Sequence, residues 1–126
     1  NALSFVEDYV RVKVYIEKLE VGSALYWKRM GDSCMKAGRY DQAESYYRTS
    51  VALDPKNPDT WYNMGIVLRD LGRYREAIRA FHETLQITPG DPDVWERIGT
   101  LYMVIEDEVN ARDAYNRSQV LLARAG

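Results

Sequence analysis

The chain has 126 residues, and 17 Lys and Arg against 19 Asp and Glu leave a net charge of −2. That length suits one domain, and the slightly acidic balance argues against a nucleic-acid partner held by phosphate contacts. Hydrophobic residues at 46% and charged residues at 29% allow a packed core, but no apolar run reaches the roughly 18 residues of a bilayer span, so membrane insertion is not expected.

Asn1 to Val10 carries Glu7 and Asp8 and lacks the basic start of a secretory signal. The lone cysteine, Cys34, cannot form an internal disulfide and suits a reducing, cytoplasmic setting. Val10, Val12, Val14 and Ile16 alternate as a strand would. Against this, Ser4 and Glu7 have capping-box spacing, and Phe5, Tyr9, Val12, Ile16 and Leu19 step by four and three. A lone strand would leave unpaired edges. The spacing predicts a helix from Phe5 to Glu20, ended by Gly22 and packed on the first repeat as a cap, with self-association or docking as its sharper role.

From Ala24 a repeat of 34 residues organises the chain. Trp27, Trp61 and Trp95 are 34 apart, as are Gly31, Gly65 and Gly99; Ala43, Ala77 and Ala111; and Tyr47, Phe81 and Tyr115. Gly38 and Gly72, Tyr40 and Tyr74, and Pro55 and Pro89 repeat as pairs. The units run 24–57, 58–91 and 92–125, after a leading segment 1–23. Each reads as two helices. Trp27, Met30, Gly31 and Cys34 lie at i, i+3, i+4 and i+7, as do Trp61, Met64, Gly65 and Leu68, then Trp95, Ile98, Gly99 and Tyr102. Asn57 and Asp91 are suited to N-caps, with Pro58 and Pro92 at the first helical position. Gly38 and Gly72 break the hairpins, and Pro55 and Pro89 stop the second helices. The expected closure sets each Gly against the Ala of the paired helix, with the Trp and the second-helix aromatic at the flanks.

The third unit departs from the pattern. Glu106 stands where Gly38 and Gly72 stood, Glu108 in place of the tyrosines, Ala123 in place of the prolines, and Gln119 in place of Val51 and Leu85. Terminal repeats need a more polar outer face, so this unit reads as the end of the array; Leu121 and Leu122 speak instead for a chain cut from a longer one.

These positions resemble the tetratricopeptide repeat family, whose 34-residue signature runs W, L, G, Y, then A, F and P. The resemblance covers Ala24 to Ala125. It implies an all-α solenoid of three stacked helix-turn-helix repeats, with the first helices lining a concave groove that holds a peptide. The expected function is therefore a non-catalytic protein-binding module, an adaptor, assembly factor or cochaperone. The alternatives are a self-assembling homo-oligomeric scaffold and a regulatory segment of a longer enzyme.

Displaced from the core face, Lys28, Asp32 and Met35 of the first unit are candidate peptide-binding residues. Tyr62, Asn63, Ile66 and Arg69 follow in the second, and Arg97, Thr100 and Met103 in the third. Met35, Ile66 and Met103 supply an apolar line suited to a peptide with spaced apolar side chains. One groove of the family, the carboxylate clamp, holds acidic chaperone C-termini with two Lys, two Asn and an Arg. Lys28, Asn63 and Arg97 match three of those positions, but Asp32 and Asp93 replace the others and would repel a terminal carboxylate.

Catalysis has little support. His82, the single histidine, has no partners for a triad or a metal site. Cys34 takes the core-facing slot of Leu68 and Tyr102. No Gly-rich phosphate loop occurs, Glu106 to Glu108 read as a turn or helix start, and neither cofactor nor metal is expected.

Overall fold

A computed structural model describes the backbone of residues 1–126 and the side chains of residues 1–15 and 22–126. The described residues form seven α-helices and no strand: α1 (Ala2–Gly22), α2 (Ala24–Lys36), α3 (Tyr40–Leu53), α4 (Pro58–Asp70), α5 (Tyr74–Ile87), α6 (Pro92–Val104) and α7 (Glu108–Ala125). Helices α2 to α7 pair as three hairpins, α2 with α3, α4 with α5 and α6 with α7. Each hairpin also packs on the next, α3 on α4 and α5 on α6. The result is the three-repeat solenoid expected. No described helix is long and apolar enough to cross a membrane.

Local chemistry sets the helix ends. The side chains of Ser23, Asn57 and Asp91 each accept the backbone N–H two residues on, Asn57 and Asp91 at 3.0 Å, with Pro58 and Pro92 directly after. In all three hairpins the first helix ends in a turn whose amide reaches back five residues. Arg39 donates to Cys34, Arg73 to Leu68 and Asp107 to Tyr102, at 2.8, 2.9 and 2.8 Å. This turn needs a left-handed residue. Gly38 and Gly72 supply it at φ +76° and +78°; Glu106 adopts it at +62° with a side chain attached.

The core runs through Tyr47, Met64, Val67, Leu68, Ile78, Phe81, Leu85, Val94, Ile98 and Leu101. Its closest approaches differ from the expected Gly–Ala contact. A Cβ built on Gly31 would fall 2.6 Å from the Tyr47 ring, on Gly65 2.8 Å from Phe81, and on Gly99 2.8 Å from Tyr115. Each glycine thus makes room for the aromatic ring of the paired helix. Ala43, Ala77 and Ala111 are fully buried beside this contact.

A further 34-residue set, Ser50, Thr84 and Ser118, is also buried. Ser50 donates to the carbonyl of Ala24 at 2.7 Å, and Ser118 to that of Pro92 at 2.8 Å, tying the second helix to the start of the first. Thr84 bonds within its own helix to Ala80 instead. On the outer side, Arg73 joins Glu44 at 2.7 Å and Glu76 at 2.6 Å, and Arg48 reaches Glu76 at 3.1 Å, linking α3 to α5.

The leading helix departs from expectation twice. It begins at Ala2, because the Asn1 side chain accepts the Ser4 N–H at 2.8 Å and so caps a turn earlier than the Ser4–Glu7 box. Residues 1–15 are exposed throughout, so over this stretch the helix does not pack on the first repeat as the expected cap. Ile16 and Leu19 of the expected apolar face lie outside the described side chains.

Candidate functional site

Every candidate binding residue lies on a first helix: Lys28, Asp32 and Met35 on α2; Tyr62, Asn63, Ile66 and Arg69 on α4; Arg97, Thr100 and Met103 on α6. The structure joins five of these ten, Lys28, Asp32, Tyr62, Asn63 and Arg97, into two polar clusters that bridge successive repeats.

Asp32 organises the first cluster. Its Oδ2 accepts the Lys28 ammonium at 2.9 Å, and its Oδ1 accepts the Tyr47 hydroxyl at 2.5 Å and the Asn63 amide at 3.0 Å. Burial alone would raise the carboxyl pKa. The hydrogen bonds from Tyr47, Lys28 and Asn63 outweigh it and hold Asp32 below the ordinary carboxylate range. Burial and the adjacent Asp32 charge push the Tyr47 hydroxyl well above its usual value, so it stays a donor. The Asn63 bond crosses from the second repeat to the first.

Asp93 organises the second. It accepts the Tyr62 hydroxyl at 2.8 Å and Arg97 Nε at 3.1 Å, while the Arg97 guanidinium lies 5.3 Å from the centre of the Tyr62 ring. Burial and Asp93 raise the Tyr62 pKa. Arg69 pairs with Asp70 at 3.1 Å. The three cations among the candidate residues are therefore each matched by a carboxylate of the chain, and Lys28, Asn63 and Arg97 all bond to Asp32 or Asp93.

Between these elements lies a cavity of about 260 Å³ lined by Arg69, Phe81, Asp93, Glu96, Arg97, Thr100 and Leu101. It has an apolar floor of Phe81 and Leu101 and a charged rim, and its volume suits one side chain rather than a small-molecule ligand. The apolar line is less exposed than expected: Met35 and Ile66 are half-buried against the core, and Met103, at 49% exposure, is the accessible member.

Sequence reasoning missed what the aromatics against these glycines contribute. Their outer ends emerge beside the residue that follows each glycine. Tyr47 meets Asp32, and the Tyr115 hydroxyl lies 3.1 Å from that of Thr100. In the middle repeat Phe81 has no hydroxyl, and the residue after Gly65 is Ile66. The pairs Asp32/Tyr47, Ile66/Phe81 and Thr100/Tyr115 match polar to polar and apolar to apolar, a signal readable in the 34-residue alignment.

His82 is half-buried with its ring edge-on to Trp95, centroids 5.8 Å apart. Burial first, then the Arg117 charge, lowers its pKa. Arg117 itself stacks 5.0 Å from the Trp95 ring centre. Cys34 packs partly buried against the core.

The model of the tetratricopeptide repeat family matches residues 35–96. Residues 35–96 belong to the tetratricopeptide repeat family. Among solved structures the array is similar to a crystal structure of MamA, with TM-score 0.79 and 21% identity over 82% of this chain and 60% of that one. A second MamA structure, MSR-1 C2, gives TM-score 0.78 and 22% identity over 83% and 60%. The chain thus spans less than two thirds of these two MamA chains. The second TPR of Spaghetti (RPAP3), bound to the HSP90 peptide SRMEEVD, gives TM-score 0.72 and 20% identity over 79% of this chain and 92% of that one. No curated protein matches the sequence. The tetratricopeptide fold supports protein–protein interaction as the class of function, and the clusters at Asp32 and Asp93 mark where its first helices meet.

Proposed function

We infer that the face formed by α2, α4 and α6 binds an extended peptide segment of a partner protein without catalysing a reaction, as an adaptor or assembly factor. The observation that supports this most is the continuity of the face. Asp32–Asn63 and Tyr62–Asp93 hold three helices in register and leave a side-chain-sized cavity between α4 and α6. Preorganised polar groups around an apolar floor favour binding because little is left to order when the ligand arrives.

The charge pairing narrows the ligand. A peptide carboxylate arriving at Lys28 or Arg97 must displace Asp32 or Asp93, and uncompensated like charges disfavour that exchange. The expected ligand is a mixed-charge segment that places one medium-sized apolar or amphipathic side chain over Phe81, not an acidic tail such as the SRMEEVD bound by the RPAP3 domain.

A peptide array probed with the full chain, followed by calorimetry on the hits, tests this. Replacing Arg69 and Arg97 together by Ala is expected to weaken binding at least about tenfold, equivalent to about 1.4 kcal/mol. Hits that bind the double variant unchanged would place the ligand elsewhere. Tight binding of SRMEEVD to the unmodified chain would overturn the ligand class.

A further inference from the structure

Residues 1–15 expose eight large apolar side chains, among them Phe5, Tyr9 and Tyr15. Contiguous apolar surface of this kind on a helix marks an interaction site. One stripe is ordered. Val6, Val10 and Val14 succeed one another at four-residue steps, and Glu7 and Arg11 border them on the same side. Neither Glu7 nor Arg11 forms an ion pair among the described residues.

This pattern is complementary to itself. Lay a second copy of α1 antiparallel along the stripe, with a two-fold axis at Val10. Val10 then meets Val10 of the other copy, and Val6 meets Val14 on either side. The axis keeps the flank carrying Glu7 and Arg11 on one side of the pair. Glu7 of each copy then lies about two residues of helical rise, ~3 Å, from the level of Arg11 in the other. Two interchain ion pairs form, related by symmetry, as an isologous interface requires. The antiparallel sense also sends the two repeat arrays, each following Gly22, out at opposite ends of the pair.

We propose that α1 is a homotypic docking helix that joins two copies of this protein antiparallel through Val6, Val10 and Val14, with Glu7 against Arg11 setting the register. The surface is separate from the groove of α2, α4 and α6, so the proposal stands or falls independently of the peptide reading.

Light scattering and sedimentation of the full chain over a wide concentration series are expected to show a monomer–dimer equilibrium. Because residues 1–15 are exposed, Val10→Asp should leave the helical signal and melting of the array unchanged while weakening the dimer by more than about tenfold. Glu7→Arg alone sets like positive charges against each other, and Arg11→Glu alone sets like negative charges together; each variant is expected to be mostly monomeric. An equal mixture of the two regains dimer, since a copy with arginine at both positions then faces a copy with glutamate at both. A chain that stays monomeric at every concentration overturns the proposal and leaves the stripe to a different protein. A dimer indifferent to Val10→Asp places the interface elsewhere, and a mixture that fails to re-form the dimer refutes the antiparallel register.

Discussion

The Phe81 ring of α5 lies against Gly65 on α4, so near that a Cβ there would come within 2.8 Å of Cε1 and 2.9 Å of Cδ1 and Cζ. Phe81 is fully buried and cannot swing aside. Gly65→Ala is therefore expected to destabilise the chain by about 1–3 kcal/mol through overpacking, despite the better helix propensity of alanine. Gly90→Ala is the control: nothing lies within 4 Å of its Cβ position, and the change should stay within about 0.5 kcal/mol. Urea unfolding of both variants reads the difference; equal midpoints would mean that ring contact does not limit this position.

Glu106 occupies the left-handed turn that Gly38 and Gly72 fill in the other repeats. A side chain in this region costs about 1–2 kcal/mol, and the greater unfolded-state freedom of glycine cancels part of any gain. Glu106→Gly should stabilise the third hairpin by about 0.5–1 kcal/mol. A raised Tm with unchanged helical content is the expected result, and a lowered one contradicts it.

Thr60 is fully buried on α4, and its Oγ1 has no hydrogen-bond partner among the described residues. The equivalent place in the third repeat holds Val94, also fully buried. Thr60→Val keeps the shape and removes the unsatisfied hydroxyl, so stability should rise by about 1 kcal/mol. Thr60→Ser, which keeps the hydroxyl and loses the methyl, should lower it. Thermal melts of the pair would show opposite shifts.

Asp32 receives three donors and titrates below its ordinary range in the folded chain. Its stabilisation is complete above the unfolded carboxyl pKa near 3.8 and disappears as pH falls through the lower folded value. Asp32→Asn removes the charge that Lys28, Tyr47 and Asn63 share and should cost about 1–2 kcal/mol at neutral pH. Below pH ~4 the difference from the parent chain should shrink toward zero as Asp32 protonates. A difference that stays constant down to pH ~2 would show that the donors do not favour the charged form.

His82 is held neutral by burial beside Trp95 and by Arg117. Its folded pKa lies below the unfolded value of 6.5, so the associated stability is complete above pH 6.5 and is lost as pH drops toward the folded value. An NMR titration should place the imidazole midpoint below 6.5, and Arg117→Ala should raise it. A midpoint at or above 6.5 in the parent chain would contradict the packing of His82 against Trp95 and Arg117.

The period of 34 and the placement of helix breakers are local chemistry. Asn57-Pro58 and Asp91-Pro92 favour a helix start through the cap and the fixed proline φ, and Gly38 and Gly72 turn the chain at no steric cost. Repetition therefore makes the hairpins and their boundaries legible from the residues alone. What fills the space between two helices depends on how far they approach and how each is rotated, and periodicity carries no such distance. Hence the repeat alone pairs Gly31, Gly65 and Gly99 with alanines, whereas aromatic rings take that place in the fold. For the same reason the bonds that cross between helices, from Asn63 to Asp32 and from Tyr62 to Asp93, emerge only from the packed arrangement. An amphipathic stripe likewise shows that a helix wants a partner without saying which, so only the packed arrangement reveals that residues 1–15 of α1 remain uncovered.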